Sequence, residues 1–251
     1  MVSKSQIKLI TSLQLKKYRN EHQLFIAEGV KVIQELILSN LVLEHLFMTE
    51  AIFEDVIISK KTLVTEQDMK RISALSSPSP CLAIFKIPKP SKIENKGLIV
   101  ALDDIRDPGN LGTIIRLCDW FGVKQLVCSP ETVDVYNPKV IQATMGSITR
   151  VNINYVDLNV FISETMLPVF GTFMHGNNIY NEKLPNEAIL ILGNEANGIS
   201  SRIEKSIKNK IAIPRFPSAV GNASCGDIQQ TESLNVATAT AIFLSEFRRI
   251  S

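Results

Sequence analysis

Five polar side chains stand out in this 251-residue sequence for their type and setting: Asn110, Arg116, Glu195, Ser233 and Asn235. Arg116 lies between Ile115 and Leu117 in a segment that reads as an apolar helix. A guanidinium carries five donors in a fixed planar fork and stays charged, so it suits oxyanions. Long charged side chains are rarely buried without a partner. Arg116 therefore either emerges at the helix surface or pairs with a carboxylate such as Asp119. Asn110 can be read as a helix cap and Glu195 as an ordinary turn carboxylate. Ser233 and Asn235 open an Ala-rich apolar helix, where exposed backbone N–H groups need acceptors and a Ser or Asn cap supplies one. The turn Gly193-Asn-Glu-Ala-Asn-Gly198 either uses its glycines for unusual backbone conformations or lets backbone approach a flat ligand such as adenine. It is not G-x-G-x-x-G, and no Walker lysine pattern exists in the chain.

The elements that must position these residues alternate. Strand candidates are Gly97–Leu102, Gln125–Cys128, Arg150–Asn152, Pro168–Phe173, Ala188–Leu192 and Lys210–Ile213. Helices are expected from about Asn110 to Phe121 and near 138–145, 158–166, 200–206 and 233–249. Strands alternating with helices predict an α/β fold with a mostly parallel sheet. Ligands of such a sheet sit beyond the C-terminal ends of its strands. Asn110, Thr172, Met174, Gly193, Glu195 and Pro214 all fall there. Upstream, Ser5–Tyr18, Gly29–Ser39 and Glu66–Leu75 read as helices. Leu24–Ala27, Leu41–Met48, Val56–Ile58, Leu63–Val64 and Cys81–Ile87 read as strands, making a small α/β sandwich. Prolines at 78, 80, 88 and 90 disfavour helix and ladder alike, which places a linker at about 88–97 and domains at 1–90 and 91–251.

Composition excludes some classes. Hydrophobic residues are 45% and charged residues 21%, so a packed core is expected rather than disorder. The formal net charge is only +2. Residues 1–90 hold 12 Lys/Arg against 9 Asp/Glu, and the first twenty hold no acid at all. That basic end, with Lys4, Lys16, Lys17 and Arg19, suits phosphate contact, or is simply a solvated helix face. The four cysteines form no C-x-x-C pair, and no metal site is expected. Cys118 and Cys128 read as buried reduced thiols. No apolar run approaches the ~20 residues of a membrane span, and no apolar signal core opens the chain, so a cytoplasmic protein is expected.

Three segments, taken in order, resemble the three motifs of the SpoU (TrmH-like) RNA ribose methyltransferases, of the SPOUT class. They are Asp103–Gly122 (DDIRDPGNLGTIIRLCDWFG), Leu190–Ser200 (LILGNEANGIS) followed by Ile213-Pro214, and Glu232–Ala241 (ESLNVATATA). Leu13–Arg19 and Phe25–Gly29 also look like the start of two-domain members, which carry a small ribosomal-protein-like domain that helps recognise RNA. The resemblance implies a C-terminal domain with a mostly parallel sheet, helices on both faces and a deep trefoil knot. It implies S-adenosylmethionine as cofactor, held through backbone near Gly193, Ile213 and Leu234, with Thr172, Met174 and Pro214 counted in the same site. It implies a homodimer, and methyl transfer to a ribose 2′-hydroxyl, of ribosomal RNA in the first place, with a transfer RNA ribose methyltransferase as the alternative. The residue matching Arg116 is assigned to the hydroxyl. A guanidinium is a poor base, so a role on the substrate phosphate and the developing oxyanion is at least as good a reading. Asn110 and Glu195 would orient Arg116 and the ribose. Ser233 and Asn235 would shape the knot loop and contact the substrate.

One departure from the family pattern is length. Arg215 to Glu232 is 18 residues, longer than in other members. The added piece, about 217–229, reads as a polar loop that is either a lid or a surface insertion. Cys225 within it has no His nearby in sequence and is assigned no role. The rival readings are an RNA-binding or ribosome-assembly protein that has kept the fold without catalysis, and a base methyltransferase on the same scaffold.

Overall fold

The computed structural model describes residues 2–39, 41–215 and 233–249. The chain forms two compact units that do not follow a single cut in the sequence. One gathers Met1–Lys92 with Asp107–Asp119 and Val133–Asn152; the other gathers Ile93–Arg106, Trp120–Thr132 and Ile153–Ser251.

The first unit is built on a four-stranded sheet of β1 (Leu24–Glu28), β2 (Leu43–Met48), β3 (Lys61–Leu63) and β4 (Cys81–Lys86), in the order β1-β4-β2-β3. β4 runs antiparallel to both neighbours, and β2 runs parallel to β3. Successive strand residues point to opposite faces. Ile26, Phe47, Leu82 and Ile84 pack on one face with Ile10 and Leu13 from around α1 (Lys4–Ser12) and with Met69 and Ile72 of α4 (Glu66–Ile72). Phe25, Ala27, Leu46 and Phe85 pack on the other with Val32, Ile33 and Leu36 of α3 (Val30–Leu38). Ile141, from α6 (Pro138–Thr144), belongs to this second core, with Tyr136 and Ile148 against it. The small sandwich read from the sequence is therefore present. Its far face is closed by residues from well beyond its last strand, Tyr136, Ile141 and Ile148.

Three local expectations differ. Ser5–Tyr18 is two helices, α1 and α2 (Lys16–His22), because the chain turns at Leu13–Leu15 and the Leu13 carbonyl accepts from Arg19 Nη1 at 2.8 Å. Ile58–Lys60 is a 3-10 turn where Val56–Ile58 reads as a strand. Ile57 and Ile58 are exposed, so alternation there had no face to bury. α4 stops at Ile72 because Ser73 Oγ and the Ala74 N–H both donate to the buried Glu28 carboxylate.

The second sheet has the order β10-β8-β9-β5-β6-β7. Its strands are β5 (Leu98–Leu102), β6 (Gln125–Cys128), β7 (Asn152–Tyr155), β8 (Val169–Asn178), β9 (Ala188–Leu192) and β10 (Asn209–Ala212). The pairs β10/β8, β8/β9, β9/β5 and β5/β6 are all parallel. β5 and β9 are wholly buried apolar runs, as central parallel strands should be. Ile99, Ala101, Ile189 and Ile191 pack on one face with Leu158 and Ile162 of α7 (Leu158–Glu164) and Ile203 of α8 (Ser201–Glu204). Phe170 points the other way and meets Phe247 of α9 (Val236–Phe247) edge-on, with ring centroids 5.5 Å apart. The mostly parallel sheet with helices on both faces is borne out. Residues 150–151 precede β7 instead of starting it.

The strand read as Pro168–Phe173 is longer and irregular. Its ladder to β9 ends at Gly171, and its ladder to β10 jumps from Gly171 to Asn177. Thr172 and Met174 thus lie inside a bulge that begins where β9 pairing stops, rather than at a strand end. The 217–229 segment, with Cys225, lies outside the described residues.

Candidate active site

In the second unit, the C-terminal edge of the sheet is held by short polar bonds from β5, β6 and β9. β5 ends at Leu102, and two aspartates follow. The Asp103 N–H donates to the Leu192 carbonyl at 2.9 Å, and Asp103 Oδ2 accepts from the Ser200 N–H at 2.7 Å. The Asp104 N–H donates to Ser129 Oγ at 3.0 Å, and its carbonyl accepts from Asn194 Nδ2 at 2.8 Å. Asp104 adopts φ +57, a left-handed conformation that Asp tolerates better than most residues. Its carboxylate takes the Arg106 Nε at 2.8 Å, which raises the affinity of that guanidinium for its proton.

The turn after β9 is closed on itself. Asn194 and Gly198 exchange backbone hydrogen bonds of 3.0 and 2.8 Å, and Asn194 Oδ1 accepts from the Ala196 and Asn197 N–H groups. A Cβ at Gly193 would lie 2.2 Å from both Gly198 C and Ile199 N, so Gly193 is required by the turn's own backbone. Gly198 has φ +67 and open space beside it. The two glycines thus serve different needs. Residues 195–198, Glu195 among them, are exposed. Ile213 and Pro214 leave β10 half-buried. Open backbone beside Gly198 and exposed polar edges fit a flat, hydrogen-bonding cofactor.

α9 starts where expected, with Asn235 as its cap: Oδ1 accepts from the Ala237 and Thr238 N–H groups at 3.0 and 3.2 Å. Ser233 and Leu234 are exposed just before it. At the other end, Arg248 donates to the Phe121 carbonyl at 2.9 Å.

In the first unit, α5 (Pro108–Trp120) carries Asn110 and Arg116. The cap is Asp107, whose Oδ1 accepts from the Asn110 N–H at 2.8 Å, so Asn110 sits in the first turn and is not the cap. Gly112 lets α5 lie against α6: a Cβ there would stand 2.4 Å from Ala143 Cβ. Arg116 is exposed, and among the described residues it makes no ion pair. It does not pair with Asp119, whose Oδ2 accepts from Arg150 Nε at 2.8 Å.

Of the basic N-terminal residues, Lys4, Lys16 and Lys17 are exposed. Arg19 is a correction. It is 2% exposed, its Nε and Nη2 both donate to Asp134 Oδ2, and it cannot reach a phosphate from there. Its charge was legible in the sequence; the partner, 115 residues away, was not. Asp103, Asp104, Asp107, Asn194 and Arg150 are structural contributors that sequence reasoning missed. A cluster of polar residues directly after a buried strand is the signal that could have pointed to the first four. Cys81, Cys118 and Cys128 are buried and form no disulfide among the described residues. Burial pushes the Cys81 thiol up to about 11.

The sheet order and parallel pairing define an open α/β protein, whose usual ligand position is beyond the C-terminal ends of the strands. The SpoU rRNA Methylase family profile matches residues 97–245, and an MRM3-like substrate binding domain profile matches residues 4–83. The chain belongs to the SpoU rRNA methylase family. It is 25% identical over 243 residues to the 23S rRNA (guanosine(2553)-2′-O)-methyltransferase RlmP of Bacillus subtilis, covering 94% of this chain and 93% of that one. A TrmH-family protein from Porphyromonas gingivalis superposes with a TM-score of 0.86 and 36% identity, over 99% of this chain and 98% of the other. The AdoMet-bound rRNA methyltransferase of Sinorhizobium meliloti superposes with a TM-score of 0.82 and 29% identity, over 99% and 96%.

Proposed function

We propose that this protein transfers the methyl group of S-adenosylmethionine to a ribose 2′-hydroxyl of ribosomal RNA. One observation carries the reading: the residues of all three motifs are intact in a chain that is alike, end to end, to a 23S rRNA 2′-O-methyltransferase. When bound, the cofactor supplies a sulfonium methyl that an oxygen nucleophile can attack. Alignment of nucleophile and methyl supplies much of such a barrier. Arg116 is exposed, and a guanidinium offers donors and no acceptor, so it acts as a donor and not as a base. It grips the phosphate beside the target ribose and stabilises charge as it grows on the 2′-oxygen. Asn110 and Glu195 orient Arg116 and the ribose. Ser233 contacts the substrate, and Asn235 fixes the start of α9. The cofactor is held by Gly193, Ile213, Pro214 and Leu234, with Thr172 and Met174 beside them.

The reading extends to residues 1–90 as the RNA-binding domain, through Lys4, Lys16 and Lys17, and to 91–251 as the methyltransferase domain. It extends to a trefoil knot, a homodimer and a cytoplasmic location. No described helix is long and apolar enough to cross a membrane. The test is to incubate the protein with S-adenosylmethionine and 23S rRNA, then map ribose methylation, with Arg116→Ala as control. One ribose-methylated nucleotide that vanishes with Arg116→Ala is the expected result. Methyl on a base, or nowhere, would overturn it.

A further inference from the structure

Arg150 belongs to none of the three motifs, yet it is tied to the helix that carries the first. It directs Nε to Asp119 Oδ2 and Nη1 to Glu35 Oε2, each at 2.8 Å. Asp119 is on α5 and Glu35 on α3. Asp119 and then Glu35 raise the guanidinium's affinity for its proton.

The arrangement is built into the backbone. Arg150 closes a 3-10 turn, Ser147–Thr149, that begins at Gly146. Gly146 has φ +92, and a Cβ there would stand 2.5 Å from Glu35 Cβ. Only glycine lets this turn lie so close to α3, and the approach fixes where the Glu35 carboxylate and the Arg150 guanidinium meet.

The consequence falls on Arg116. Residues three apart on a helix face one another, so Asp119 is the natural ion-pair partner of Arg116, the only cation on α5. Asp119 is only 20% exposed and needs a cation. Arg150 supplies it, and Arg116 is left without an ion pair among the described residues.

We propose that Arg150 is a positioning residue for methyl transfer: by occupying Asp119 and anchoring to Glu35, it keeps the Arg116 guanidinium available for RNA. The proposal rests on the role given to Arg116 above. A merely structural ion-pair cluster at the surface would contribute little to stability and nothing specific to turnover.

The test uses full-length protein, S-adenosylmethionine and a 23S rRNA transcript. Arg150→Met keeps the aliphatic stem and removes the charge. Expected is a drop in kcat of about tenfold, the factor that about 1.4 kcal/mol of charge-assisted hydrogen bonding produces, with KM for the cofactor within about twofold. Adding Asp119→Asn removes the competitor, and the double variant should regain at least about fivefold of that loss. Arg150→Lys, which can meet one carboxylate but not fork between two, should lie between. Should Arg150→Met not fold, the lysine variant and its Asp119→Asn double carry the same test. Unchanged kcat in Arg150→Met, or a loss that Asp119→Asn does not relieve, overturns the proposal while the functional reading stands. A wild-type protein that transfers no methyl to RNA ends both.

Discussion

Replacing Gly193 by alanine tests the closed turn after β9. The new Cβ would sit 2.2 Å from two backbone atoms of Gly198 and Ile199, and 2.4 Å from the Gly198 carbonyl oxygen. Ordinary contact begins near 3.4 Å, so the two backbone segments must part by about 1.2 Å. No side chain can swing away to absorb this. Overpacking in a tight site costs about 1–3 kcal/mol, and each hydrogen bond of the Asn194–Gly198 bridge that is lost costs about 1 kcal/mol more. A total near 3 kcal/mol lowers the melting temperature of a chain this size by about 6–12 °C. Gly198→Ala is the internal control. Its Cβ meets nothing within 4 Å, and only the positive φ resists it, at about 1 kcal/mol. Thermal unfolding should therefore rank Gly193→Ala well below Gly198→Ala. Calorimetry should show S-adenosylmethionine affinity weakened at least about tenfold in Gly193→Ala, since the turn that holds the cofactor in the proposed reading has moved. Wild-type melting and affinity in Gly193→Ala, or the reverse ranking of the two glycines, would refute the steric reasoning.

Arg116→Ala should lower kcat by about a hundredfold or more with cofactor affinity kept, and Arg116→Lys should not restore it, because a point charge lacks the fork; near-normal turnover in the lysine variant would end that assignment. Arg19→Ala leaves Asp134 without its partner in a largely buried place and should cost about 3 kcal/mol in urea unfolding; an unaffected midpoint would mean that the pair contributes nothing. Burial raises the Glu28 carboxyl above its ordinary 4.5, so its contribution favours the fold below that pH and is lost as pH climbs through the raised value. Glu28→Gln should thus be at least as stable as wild type at pH 7 and lose that advantage near pH 4; an equal deficit at both would refute it. Deleting residues 1–90 should leave 133–152 without its packing partners and yield a protein that binds dyes of exposed apolar surface, whereas a cooperatively folding remainder would show that those contacts are dispensable.

The order of elements was legible because each depends on local pattern. β5 and β9 are unbroken apolar runs bounded by glycine or polar residues, and α9 has its cap in Asn235. The motif residues could be located for the same reason, since each follows a strand or opens a helix. What stayed hidden depends on distant partners. Nothing near Arg19 in the sequence separates it from Lys16 and Lys17, yet Asp134 draws it inward while the lysines stay exposed. Ile57 and Ile58 have strand-like composition, but both are exposed with no face to bury, and the chain makes a 3-10 turn.

The most consequential hidden feature is the composition of the first unit. The linker prolines suggest that everything before about residue 90 folds on its own. Instead, Ile141 sits in one core with Phe25 and Ile33, Tyr136 lies 4.9 Å from the Phe25 ring, and Arg150 grips Glu35. All three belong to the stretch that matches the methylase profile. The same unit also contains α5, with Asn110 and Arg116. Packed side chains and one forked guanidinium therefore connect the first-unit sheet, whose unit carries the proposed RNA-binding lysines, to the helix bearing the proposed catalytic arginine. Substitutions at Glu35, far from any motif in sequence, should then alter turnover in the same direction as those at Arg150 but by less, because they remove one of the two carboxylates that hold Arg150 and leave its bond to Asp119 in place.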